Sequence, residues 1–130
     1  MAGRRRREWV GFSVDFLTFG VSRLRFINLF TKGMPEVFAY FKPTAERGLG
    51  IIETHLKDHE WLAAGRPTYA DIVAYTGMNM LVDAGYSWDD YPASAAWMKR
   101  FEKQPNFALR EVLLPLPAGS TPVPMGKSGA

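Results

Sequence analysis

Hydrophobic positions over the first thirty residues fall into two stripes. Trp9, Phe12, Phe16, Phe19, Arg23, Phe26 and Phe30 recur at intervals that alternate between three and four. Val10, Val14, Leu17, Val21 and Leu24 repeat that spacing. The pattern predicts a helix over residues 8–31. At about 100° per residue the stripes lie well apart, with small Ser13 and Gly20 between them on one side. Asp15, Thr18 and Ser22 mark the polar edge. So wide an apolar arc cannot be covered by one neighbour. One stripe is expected to face the core and the other a partner, a ligand or another domain. The aromatic stripe is expected to be the outward one, because it includes Arg23, which is costly in a dry core.

Further along, Gly33, Met34 and Pro35 break the pattern. A short helix is expected from Pro35 to Phe41, interrupted by Pro43. The next is expected over residues 44–58, with Leu49, Ile52 and Leu56 on one face and Glu46, Arg47, Glu53 and Lys57 outside. Trp61-Leu62-Ala63-Ala64-Gly65 forms an apolar connection to Pro67-Thr68-Tyr69-Ala70-Asp71-Ile72. There Thr68 is a good N-cap and Asp71 can reach back to its N–H, which closes a capping box. Pro67 and Ile72 occupy the positions of a hydrophobic staple. The helix that follows, ending near Gly85, is apolar almost all round and is expected to be central. Pro92 suits the first position of a helix over residues 93–103, and Pro105 opens a last one to Leu113. From residue 115, Pro, Gly and small polar residues dominate, as in a flexible tail. The expected organisation is a basic extension over residues 1–8, a helical domain over 9–114 and a tail over 115–130. No strand alternation is evident, so the fold class is all-α, a bundle of about five to seven helices.

Charge and composition sharpen this only locally. The formal net charge of +3 owes four positive charges to Arg4–Arg7, so the rest of the chain is close to neutral. That run ahead of Trp9 loosely resembles a signal peptide. However, Asp15, Arg23 and Arg25 interrupt the apolar part, and no small-residue cleavage site follows. A charged helix end is the expected form, with no membrane segment and a cytoplasmic location. Four arginines alone supply only non-specific phosphate attraction, so nucleic acid is not an expected partner. The absence of cysteine excludes disulfides, thiolate metal sites and a cysteine nucleophile. His55 and His59 share a helix face, but two ligands are too few for a metal; they are expected on a solvated face. Gly48-Leu49-Gly50 lacks the strand and the basic residue of a phosphate loop. Ser13 and Ser94 have no nucleophile elbow.

Thr68-Tyr69-Ala70-Asp71-Ile72, preceded by Trp61-Leu62-Ala63 and followed by Tyr91-Pro92, Trp97, Arg100 and Pro105, resembles the C-terminal helical domain of glutathione transferases. The resemblance spans residues 9–113 and departs locally, with Ala64-Gly65 where the family usually has Gly-Asp. It implies that Thr68, Asp71 and Ile72 form a structural capping motif, not a catalytic one. It also implies that the first helix walls a hydrophobic electrophile subsite, the candidates by position being Phe12, Asp15, Phe16, Phe19 and Arg23. In the family a thioredoxin-like domain ahead of the helices binds glutathione and stabilises its thiolate, and no residue here matches it. The chain is therefore expected to be an isolated or truncated helical domain, with no catalytic residue, metal or cofactor of its own. Glutathione would be the co-substrate if that domain were supplied. The expected partners are a thioredoxin-like domain or a sister subunit through the first helix, as in a homo-oligomer. The competing class is a non-enzymatic interaction module of the kind fused to translation proteins.

Overall fold

The computed structural model describes residues 2–30, 34–105 and 107 of the chain. Among these residues the fold is all-helical, built of four rods. The first rod is continuous and consists of α1 (Ala2–Phe12), a π-wound segment (Ser13–Ser22) and α2 (Arg23–Phe30). It is followed by α3 (Pro35–Asp58), α4 (Tyr69–Met78) and α5 (Pro92–Glu102), with a 3-10 turn (Trp88–Asp90) ahead of α5. No helix among the described residues is long and apolar enough to cross a membrane. The expected tail and most of the expected last helix lie outside the described residues.

The π winding decides which residues of the first rod face inward. Its hydrogen bonds span five residues instead of four, so the inward stripe drifts from its α-helical course. The buried positions are Ser13, Leu17, Gly20, Val21, Leu24 and Ile27. Val14, expected beside Leu17, is turned out and is 42% exposed. Ser13 takes the inward place, where its hydroxyl donates to the Trp9 carbonyl at 2.8 Å and leaves no stranded donor. Leu17, Val21 and Leu24 of the aliphatic stripe are core and Val10 is half-buried, whereas Phe19, Phe26 and Phe30 are about half exposed.

The two helices expected on either side of Pro43 are one. Pro43 lies inside α3 and cannot donate to the Ala39 carbonyl. Both residues are exposed, so water can take that carbonyl, while Phe41 and Ala45 pack inward and hold the rod in line. The first rod lies close against α3. A Cβ on Gly20 would stand 2.7 Å from the Ala45 Cα, and one on Gly48 would stand 2.7 Å from the Phe16 Cβ. These contacts set an antiparallel register, with Phe16 opposite Gly48 and Gly20 opposite Ala45.

α4 is shorter than the pattern predicts. It stops at Met78, and turns carry the chain to Gly85. Ala70, Asp71, Ala74, Tyr75 and Met78 face the core, but Tyr69 and Ile72 are half exposed or more, so the helix has an open side. Thr68, in extended backbone, forms the capping box with Asp71. The Asp71 carboxylate does more than cap. Oδ2 accepts from the Thr68 N–H at 2.9 Å, and Oδ1 accepts from the Leu62 N–H at 3.1 Å and the Trp97 Nε1–H at 2.9 Å. One fully buried side chain thus joins the loop, α4 and α5.

Glu53, expected outside, is buried. Its Oε1 accepts from the Ala93 N–H at 2.9 Å, and its Oε2 accepts from the Ser94 N–H and hydroxyl at 2.8 and 2.7 Å. Pro92 opens α5 without a capping side chain at Tyr91. α3 therefore supplies the acceptor for the unpaired donors of the first turn. Arg25 pairs with Asp83 at 2.9 Å and fastens α2 to the turns after α4.

Candidate functional site

The aromatic residues of the first rod and the flank of α3 form a seam at the molecular surface. Trp9 meets Phe12 edge-on at 5.2 Å between ring centroids, and Phe12 stacks on Phe16 at 5.2 Å. Phe16 can approach α3 so closely because residue 48 has no side chain. The Arg47 guanidinium lies over the Phe16 ring at 5.9 Å. Further along the rod, the Arg23 guanidinium stands 5.3 Å from the Phe19 ring centroid and 5.5 Å from that of Phe41. These distances fall within cation–π range.

Four of the five residues expected to line a subsite thus belong to two groups on this seam, Phe12 with Phe16 and Phe19 with Arg23. Phe12 and Phe16 are half-buried, and Arg23 is exposed. Asp15 is exposed and joins neither group through a ring contact or ion pair among the described residues. Two seam residues escape the sequence pattern. Arg47 is outside α3, as expected, but its partner Phe16 lies in a different helix. Phe41 lies just before the proline that obscured the run of α3.

A concavity of about 640 Å³ lies where α1 meets the loop after α3, with Trp9, His55, His59 and Trp61 in its lining. His59 is exposed, but His55 is not on a solvated face. Its ring stacks on that of His59 at 4.1 Å and meets that of Trp9 at 4.6 Å. Its Nε2 is buried and has no hydrogen-bond partner among the described residues. Burial, with His59 beside it, lowers the His55 pKa below its ordinary value against the opposing pull of the Trp61 and Leu62 backbone and Asp71. Among the described residues, no group of three or more His, Cys, Asp or Glu side chains is placed to hold a metal ion.

A family model for the glutathione S-transferase C-terminal domain matches residues 35–105. No curated protein matches the chain. Among solved structures, a glutathione S-transferase from Xanthobacter autotrophicus Py2 is similar with a TM-score of 0.78 and 22% identity, over 83% of this chain and 54% of that one. A possible glutathione S-transferase from Rhodopseudomonas palustris gives 0.78 and 23%, over 98% and 55%. A glutathione S-transferase from Pseudomonas fluorescens Pf-5 gives 0.76 and 21%, over 83% and 55%. At these identities the likeness carries the fold, and the chain spans about half the length of each structure. The family match takes in α3, the Thr68–Asp71 box, α4 and α5, and the chain belongs to the glutathione S-transferase C-terminal domain family.

Proposed function

We propose that this chain serves as the helical half of a glutathione-transferase-type assembly, with the seam around Phe12, Asp15, Phe16, Phe19 and Arg23 walling the hydrophobic electrophile subsite. Glutathione is then the co-substrate, held and activated by a thioredoxin-like domain that meets the first rod. The remaining aromatic surface, through Phe26 and Phe30, serves contact with that domain or with a second copy. The observation that carries this reading is the half-exposed aromatic face of the first rod. Monomeric surfaces seldom leave a contiguous apolar patch to water, and such patches mark binding sites. The helical half positions the electrophile and does not activate the thiol.

Nuclear magnetic resonance tests the subsite. A neutral aromatic ester, methyl 2-naphthoate, titrated into the full chain is expected to shift the amides of residues 12–23 and 41–48. Shifts confined to the concavity beside His55, or no shifts, would overturn the assignment. The purified chain is also expected to show no conjugation of glutathione to a chlorinated nitroarene. Turnover that survives removal of host transferases would show that the thiol is activated within this chain.

A further inference from the structure

Arg23 and Arg47 bear on what kind of ligand the seam takes. Neither forms an ion pair among the described residues, whereas Arg4, Arg25 and Lys42 are paired with Glu8, Asp83 and Glu46. Each instead lies over an aromatic ring, Arg47 over Phe16 and Arg23 over Phe19 and Phe41. A guanidinium whose charge is met by an aromatic ring spends no N–H donor on a carboxylate and keeps the fork that fits an oxyanion. The register places both arginines along one seam. Arg47 is beside Gly48, which opposes Phe16, and Arg23 reaches Phe41 about two turns further along. Asp15 is the one carboxylate among the subsite candidates, and it is not spent on either arginine.

We infer that the seam selects an aromatic ligand bearing a carboxylate, with the ring against Phe16 and Phe19 and the carboxylate on the guanidinium edge of the arginine at either end, Arg47 or Arg23. The inference rests on the subsite reading above and adds the charge of the substrate. Charge-assisted hydrogen bonds from arginine to a carboxylate are roughly twice as strong as neutral ones, so a matched neutral ligand should bind less well.

The test compares 2-naphthoate with its methyl ester, each titrated into the full chain by calorimetry and followed by amide shifts. The carboxylate is expected to bind about tenfold tighter than the ester at low salt, with the ratio shrinking as salt rises. Arg23→Gln combined with Arg47→Gln is expected to bring the ratio close to one. Both side chains are exposed, so the helical circular dichroism should persist. If the double variant loses it, the single variants and the salt dependence of the unaltered chain decide; a salt-independent ratio counts against the inference. Equal binding of both ligands at the seam overturns the charge assignment and leaves the subsite standing. Absence of either ligand from the seam overturns both.

Discussion

Asp71 shows how much one side chain can join. Its two oxygens serve donors from the loop at Leu62, the cap at Thr68 and the indole of Trp97, the first and last of them shut off from water. Asp71→Ala leaves those donors unsatisfied and is expected to destabilise the chain by about 3 kcal/mol or more, measured by urea denaturation. Asp71→Asn keeps one acceptor and turns an amide N–H₂ on the other donors, for an expected loss of about 1–2 kcal/mol. A loss below about 0.5 kcal/mol for Asp71→Ala would mean that the three donors find other partners. His55 makes a prediction about pH. Its folded pKa lies below the ordinary 6.5, so the unfolded chain binds the proton first as pH falls. The contribution is complete above about pH 6.5 and is lost as pH drops towards the folded value. The charged neighbours there are His59, Asp58, Glu60, Arg5 and Glu8 in the lining, and Asp71 behind it. His55→Phe keeps an aromatic ring against Trp9 and removes the proton. The stability of the native sequence relative to this variant is expected to rise as pH climbs from below the folded value towards 6.5 and then to level off, read from denaturation midpoints. A difference that does not vary with pH would show that His55 titrates alike in both states.

Among the elements, the contact between α4 and the first rod is the tightest to test. A Cβ on Gly77 would stand 2.6 Å from the Leu17 Cβ. Alanine gains about 1 kcal/mol of helix propensity over glycine in an exposed helix. Here the clash should outweigh that gain, and Gly77→Ala is expected to destabilise by about 1–3 kcal/mol net, measured by thermal or urea unfolding. A stabilised variant would mean that the rods separate at little cost. The same elements show what the sequence could reveal. The cap of α4 is legible because Thr68 and Asp71 stand three residues apart, within the span a local motif covers. The Leu62 and Trp97 bonds to the same carboxylate are not, since they depend on where a loop and α5 come to rest. The π segment is hidden because its residues also satisfy an α-helical pattern; only the burial of Ser13 in place of Val14 distinguishes the two. Of the seam, the first-rod side is legible from its stripe and from the family resemblance. Arg47 is not, because an arginine on the outer face of one helix carries no sign of an aromatic ring in another.

For the whole molecule, the question is what covers Phe19, Phe26 and Phe30, each close to half exposed. The chain is expected to self-associate or to bind a hydrophobic dye at high concentration. Phe19→Ser with Phe26→Ser is expected to reduce both while the helical circular dichroism is kept. These are better positions than Phe12 and Phe16, which are half-buried, the latter against Gly48. A chain that is monomeric by light scattering and does not bind the dye would show that the rod needs no cover, and the proposed contact with another domain would lose its support.

The arrangement at Glu53 also bears on the order in which the molecule assembles. α4 carries part of its own start signal, but the first turn of α5 waits for a carboxylate 40 and 41 residues earlier in the chain. Closing so long a loop costs entropy before it returns anything. α5 should therefore dock late, on the native side of the folding barrier. Glu53→Gln is then expected to speed unfolding in stopped-flow experiments while refolding keeps nearly its original rate. Slowed refolding would place the α3–α5 junction in the nucleus instead. Late docking would make α5 the part of the domain that opens first, and with it the Trp97 bond to Asp71.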